Sequence, residues 1–171
     1  MGATFVGVVY ATTDVPRPGD IQTDQVSILY YADGTSEMAR LGEENRTDVT
    51  IDRVPEHVRE AVLAAENRSF YSDPGFSAPG IARAAWNNLT GGPTQGGSTI
   101  TQQYVKNAYL TSEQSYTRKF KELILSVKID RNYDKDQVLE WYLNTIYFGR
   151  GAHGIEAAAE TYFGKTVDQL T

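Results

Sequence analysis

The sequence predicts a mostly α protein of the α+β class, with a small N-terminal β-containing segment ahead of six helices. Three observations carry this. Strand-like runs flank Asp33-Gly34, a hairpin signal. From Pro55 onward the apolar residues recur every three to four positions. The stretches so marked end or begin at Pro, Gly, Ser, Thr or Asp, the residues that start and stop helices.

The elements follow in order. Gly2–Ala11 is apolar but short, with no basic flank and no cleavage pattern, so it is not a signal peptide. It reads either as a strand or as the outer end of a transmembrane helix that has been removed. Thr12–Gln25 holds Pro16, Pro18 and Gly19 and reads as an extended linker. Residues 1–25 are therefore expected to be a membrane-proximal linker. Residues 26–54 are expected to form a small β-hairpin segment from Val26–Tyr31 and Thr35–Leu41, with a third strand at Thr47–Ile51. Helices are expected at Pro55–Asn67, with Val58, Val62 and Ala65 on one face, and at Gly80–Leu89, stopped by Gly91-Gly92-Pro93. Further helices are expected at Ser98–Tyr109, capped by Ser98 or Thr99, and at Tyr116–Tyr133, through Phe120, Leu123, Ile124, Val127 and Ile129. The last two are Asp134–Tyr147 and Gly154–Phe163, the latter ended by Gly164. Gly164–Thr171 reads as the entry to another helix, so residues 55–171 are expected to be a domain truncated at its C-terminal side.

Composition narrows the chemistry. The 171 residues carry a net charge of −6, which disfavours a nucleic-acid partner. There is no cysteine and there are two histidines, so thiolate and all-histidine metal sites fall away. No apolar run approaches the roughly 18–20 residues of a spanning helix. Charge is uneven: residues 1–66 are net −7, whereas residues 118–135 are net +3. A basic patch in an acidic protein suits an anionic group on a substrate, although a solvated helix face has the same composition.

Three groups of residues could do chemistry. Glu66 ends an apolar helix and precedes Phe70 and Tyr71, and a desolvated carboxylate is a usable general base. A surface glutamate paired with Arg68 fits the same residues. Gly96–Asn107 joins glycines to a hydroxyl-rich helix start, which can bind an anion. Gln102 and Lys106 are four apart there, so an amide and a cation are expected on one face. Arg118 and Glu122 are also four apart, either a simple ion pair or a second carboxylate kept ionised in a basic cluster.

Together these segments resemble the peptidoglycan glycosyltransferase domain (family 51) of class A penicillin-binding proteins. Five motifs stand in order over residues 55–171: Glu66-Asn67-Arg68-Ser69-Phe70 with Gly75; Gly97–Gln103 with Lys106-Asn107; Arg118-Lys119 with Glu122; Val138–Asn144; and Arg150-Gly151 with Gly154-Ile155 and Tyr162–Lys165. The common pattern has aspartate where Asn67 stands and often histidine where Asp73 stands.

The resemblance implies a lysozyme-like helical lobe and the polymerisation of lipid II into β-1,4-linked glycan with inversion and release of undecaprenyl pyrophosphate. It implies Glu66 as base and Glu122 as the second carboxylate, positioning the donor pyrophosphate or a divalent ion bound to it. Lys106, Arg118 and Lys119 match the family's cations at the leaving group. Ser98, Thr99, Gln102 and Gln103 would line the cleft, with Asn67, Phe70 and Asn107 as site supports. Arg150 fits a structural salt bridge or a substrate contact. No cofactor is required by this reading, with Mg2+ or Mn2+ as candidate ions. Implied partners are lipid II, the lipid-linked glycan strand, the outer leaflet of a bacterial membrane and a C-terminal transpeptidase domain. The implied place is the extracytoplasmic face of the cell membrane, behind a single-pass anchor. Phosphoglycolipid inhibitors such as moenomycin would bind the same groove. Two other readings fit a catalytic glutamate in a cleft: a lysozyme-like hydrolase or lytic transglycosylase, and a non-catalytic lipid II-binding fragment.

Overall fold

The computed structural model describes residues 27–32, 37–41, 45–91, 97–109 and 116–171. The expected linker over 1–25 and the Asp33-Gly34 turn lie outside the described residues. Strands β1 (Ser27–Tyr30) and β2 (Glu37–Leu41) pair antiparallel, with Ser27 opposite Leu41 and Ile28 opposite Arg40. The expected hairpin is present.

The third strand differs from expectation. Asn45–Arg46 is β3, and the chain then runs extended into a 3-10 turn at Ile51–Arg53. Thr47–Ile51 forms no ladder because side chains satisfy its backbone. Asn144 holds Val49 on both sides: its Oδ1 accepts the Val49 N–H at 3.0 Å and its Nδ2 donates to the Val49 carbonyl at 2.8 Å. The Ile51 N–H donates to Glu140 Oε2 at 2.7 Å.

Six helices follow: α1 (Glu56–Glu66), α2 (Ala78–Thr90), α3 (Ile100–Tyr109), α4 (Tyr116–Asn132), α5 (Lys135–Thr145) and α6 (Ile155–Phe163). Each lies within two residues of its expected bounds. The α1 face is shifted: Val58, Val62 and Leu63 pack inward, while Ala65 is exposed. Between α5 and α6 the sequence reading had no strand, but β4 (Tyr147–Gly149) and β5 (Ala152–His153) pair antiparallel. The intervening Arg150 has φ +52°. Strand β5 also pairs parallel with β3, giving a sheet ordered β3-β5-β4. These strands are too short for a two-residue period to show in a sequence.

Helix α3 is the centre of the fold, packed on both α4 and α5. Ile100, Tyr104 and Val105 meet Leu125 and Ile129 of α4 and Val138, Leu139, Tyr142 and Leu143 of α5 in one core. Helix α3 is buried at Ile100–Gln102, Tyr104 and Val105, while Gln103 is half-buried and Lys106 and Asn107 are exposed. The loop between α1 and α2 docks on α4 at Gly75, whose φ is +83°. A Cβ there would stand 2.5 Å from the Ser126 carbonyl oxygen, so only glycine fits.

Candidate active site

Glu66 is the last residue of α1, and Asn67 caps the helix with its N–H on the Leu63 carbonyl. The chain then turns through Ser69–Phe70, so the Glu66 carboxylate points out of the core. It borders a cleft of about 400 Å³ together with Asn67, Arg68 and Ser69 from the following turn, Ser77, Gly80 and Arg83 from α2, and Gly97, Ser98 and Thr99 from the start of α3. The apolar surround expected for Glu66 is absent: the side chain is exposed. What fixes it is an amide. Gln103 Nε2 donates to Glu66 Oε2 at 2.8 Å, and Tyr142 OH donates to Gln103 Oε1 at 3.4 Å. Burial, and after it the charge of Glu66, push the Tyr142 phenol far above its ordinary range, so it remains a donor.

Asn67 is buried and joins Glu66's helix to α3. Its Oδ1 accepts the Ile100 N–H at 3.2 Å, and its Nδ2 donates to Asp73 Oδ2 at 2.8 Å and to Ser69 Oγ at 3.3 Å. Ser69 Oγ also donates to the same Asp73 oxygen, at 2.9 Å. The two departures from the common family pattern are thus bonded to each other. An amide with a donor and an acceptor satisfies the helix N–H and the carboxylate at once.

Thr99 is the N-cap of α3. The Gln102 N–H donates to Thr99 Oγ1 at 3.3 Å, and Gln102 Oε1 accepts the Thr99 N–H at 3.0 Å, a reciprocal capping box. Thr99 Oγ1 also donates to the Gly75 carbonyl at 3.0 Å. Gln102 is therefore spent on the cap and buried, and it does not share an open face with Lys106. Gln103 takes that place, with Lys106 and Asn107 exposed beside it.

Glu122 lies on the buried stripe of α4 with Leu125, Ser126 and Ile129, and is 1 % exposed. An ionised group there needs a partner. Its ion pair comes from Lys119, three residues back, rather than from Arg118. The Lys119 ammonium also donates to Ser98 Oγ at 3.1 Å. Ser98 borders the Glu66 cleft, so two hydrogen bonds run from the cleft wall through Lys119 to Glu122. Arg118 is half-buried one residue before Lys119. Glu122 Oε2 is buried with no hydrogen-bond partner. Among the described residues no group of three or more His, Asp or Glu is placed to hold a metal ion. The Glu122 carboxylate is buried and its other oxygen pairs with Lys119, so the described residues do not fit a site for the Mg2+ or Mn2+ considered from sequence.

Residues 34–171 match the profile of a family described as Transglycosylase. The chain belongs to that family. It is 56% identical over 170 residues to "Penicillin-binding protein 1A" of Mycobacterium tuberculosis, a stretch covering 96% of this chain and 21% of that protein. It is 57% identical over 171 residues to the protein of the same name from Mycolicibacterium smegmatis, covering 96% and 22%. It is 44% identical over 159 residues to "Penicillin-binding protein 1A" of Escherichia coli, covering 92% and 19%. The chain spans about a fifth of the length of these relatives. The resemblance to class A transglycosylase domains is thereby shown.

In this transglycosylase domain four residues named from the sequence, Glu66, Asn67, Ser98 and Thr99, border the cleft directly. Gln103 joins them through its bond to Glu66, and Lys119 and Glu122 through Ser98. Phe70 is in the core, with the Lys135 ammonium 4.9 Å from its ring centre, and is not among the residues lining this cleft. Arg150 sits on the β4–β5 turn with its guanidinium 5.3 Å from the Tyr162 ring centre, a ring contact instead of the salt bridge considered from sequence. Tyr142 and Arg83 were not anticipated. Tyr142 stands in the Val138–Asn144 motif, which gave it no role of its own. Ser77, Gly80 and Arg83 are three residues apart on α2, a spacing that puts them on one side of the helix.

Proposed function

We propose that this transglycosylase domain is a peptidoglycan glycosyltransferase that polymerises lipid II into β-1,4-linked glycan strands with inversion. The observation that supports this most is a carboxylate, Glu66, on the same cleft as Ser98, through which a hydrogen-bonded chain runs to Lys119 and Glu122. Reaction at a sugar carbon with a diphosphate leaving group needs a proton acceptor on one side and fixed positive charge on the other.

Glu66 Oε2 is held by Gln103, which leaves Oε1 to accept the proton of the acceptor's 4-hydroxyl. The hydroxyl oxygen bonds to C1 of the lipid-linked donor as the bond from C1 to the phosphate oxygen breaks. That bonding pair leaves with undecaprenyl pyrophosphate. A lysine ammonium has three N–H donors. Lys119 uses two, on Ser98 and Glu122, and the third meets a pyrophosphate oxygen as its charge grows. Lys106 on the open face of α3 and Arg118 on α4 add positive charge for the same group. Glu122 acts through Lys119, fixing where the ammonium stands.

The cellular setting follows from this chemistry. The lipid tails of donor and acceptor place the domain on the outer leaflet of a bacterial membrane in cell wall synthesis. Among the described residues no helix is long and apolar enough to cross a membrane. A single-pass anchor and a C-terminal transpeptidase domain are part of the proposed reading of the whole protein. The experiment is incubation with labelled lipid II. Glycan strands are expected, with one undecaprenyl pyrophosphate released for each glycosidic bond formed. Release of cleaved muropeptides from finished glycan would instead make this a hydrolase or lytic enzyme.

A further inference from the structure

Asp73 has no part in the reaction just described and is not among the residues lining the cleft. It lies in the turn between α1 and α2. Its Oδ2 accepts from Asn67 Nδ2 at 2.8 Å and from Ser69 Oγ at 2.9 Å. Its backbone is held as well. The Asp73 N–H donates to the Ser69 carbonyl at 2.9 Å, and the Asp73 carbonyl accepts from the Lys135 ammonium of α5 at 2.5 Å. The carboxylate therefore stands at a fixed point in the turn.

Asn67 carries that fixed point to the base. A carboxylate oxygen only accepts and a backbone N–H only donates, so one orientation of the Asn67 amide meets both neighbours. Nδ2 faces Asp73, and Oδ1 faces the Ile100 N–H at 3.2 Å. The buried Asn67 side chain is thus a strut fastened at both ends, one in the turn and one at the start of α3. Glu66 immediately precedes it. Gln103, whose amide holds Glu66 Oε2 at 2.8 Å, lies about one helical turn beyond Ile100. The two partners of the Glu66–Gln103 contact therefore sit on the two elements that the strut joins. A separate tie, from Thr99 Oγ1 to the Gly75 carbonyl at 3.0 Å, docks the same turn on α3 without using Asp73.

We infer that Asp73 is a positioning residue for the base: through Asn67 it sets how the Glu66 carboxylate meets Gln103. This deepens the proposed function and rests on it. Asp73 acts here as a hydrogen-bond acceptor, and its charge is not needed. Asn67 and Asp73 are also a matched pair, because a donor at one position requires an acceptor at the other.

The test is polymerisation of lipid II by the full chain, each variant being assayed well below its melting transition. Asp73→Ala is expected to lower kcat about tenfold, as misplacement of a reacting group does, with the KM for lipid II unchanged. Asp73→Asn still offers Asn67 an oxygen and is expected to stay within about twofold of wild type. Asn67→Asp sets two carboxylates against each other and is expected to lose as much as Asp73→Ala. Adding Asp73→Asn to Asn67→Asp turns donor and acceptor round, keeps the bond to Ile100 and is expected to restore most of the rate. In a Gln103→Leu background Asp73→Ala is expected to cost nothing further, because the contact it serves is already gone. Unchanged kcat in Asp73→Ala or a rise confined to KM overturns the inference. So does Asp73→Asn falling as far as Asp73→Ala, a reversed pair that rescues nothing, or an additive loss beside Gln103→Leu. Amide hydrogen exchange without lipid II separates its failure from failure of the proposed reaction. Asp73→Ala is expected to speed exchange of the Ile100 N–H about tenfold, and Asp73→Asn to leave it unchanged. Exchange at Ile100 that ignores Asp73→Ala overturns the inference whatever the fate of lipid II.

Discussion

The Glu66 carboxylate depends on a single amide. Gln103 is oriented from behind by Tyr142, whose hydroxyl meets the carbonyl oxygen of the amide and so leaves the NH2 group facing Glu66. Gln103→Leu keeps the size but removes both contacts. It is expected to lower kcat about tenfold with little change in thermal stability, because Gln103 is only half-buried. Steady-state rates beside melting curves check this. Tyr142 gives a pH signature. Its phenol has a higher pKa folded than unfolded, so its contribution is intact below about pH 10 and is lost as pH rises beyond that value. Tyr142→Phe is expected to lose less stability than the wild type between pH 9 and 11 in unfolding titrations. Glu66 was legible in the sequence through its motif, but the basis of its activation was not. Apolar neighbours in sequence suggested a desolvated carboxylate, whereas the helix ends there and turns the side chain outward.

At the level of elements, the turn after Glu66 is clamped from three sides. Asn67 joins it to the first N–H of α3, Lys135 of α5 donates to the Asp73 carbonyl at 2.5 Å, and Tyr71 OH donates to Asp136 Oδ1 at 2.8 Å. Lys135 also pairs with Asp130 at the end of α4. Asn67→Ala leaves the buried Ile100 N–H without its partner and removes one of the two donors to Asp73 Oδ2, and is expected to cost about 1–2 kcal/mol of stability by urea unfolding. The helices themselves were legible because Pro55, Gly91, Asp134 and Gly164 mark their ends, and their apolar spacing is regular. The β4–β5 hairpin was not, since strands of two and three residues carry no periodicity. Gln102 was expected in the cleft from the family resemblance, and on one face with Lys106 from their spacing. Spacing puts two residues on one side of a helix but cannot say that the first turn is consumed by its cap.

Across the whole molecule the N-terminal segment is joined to the helical core by side chains. Asn144 and Glu140, one turn apart on α5, hold Val49 and Ile51. Arg53 donates to Asp168 at 2.9 Å and lies 3.5 Å from Glu156, linking the same segment to the end of the described chain. Asn144→Ala is expected to cost roughly 1–3 kcal/mol, because two buried backbone groups of Val49 lose their partner. Loss of the cooperative unfolding transition for this segment in hydrogen exchange would accompany it. The motif Val138–Asn144 was legible as a family mark, yet its anchoring role was invisible in a pattern that shows only helical spacing. The account as a whole turns on Glu66 taking a proton from the acceptor sugar. The direct measurement is glycan formation from lipid II by Glu66→Gln, beside lipid II binding by the same variant. The account predicts no glycan strands and wild-type binding. Undiminished polymer from Glu66→Gln would contradict it.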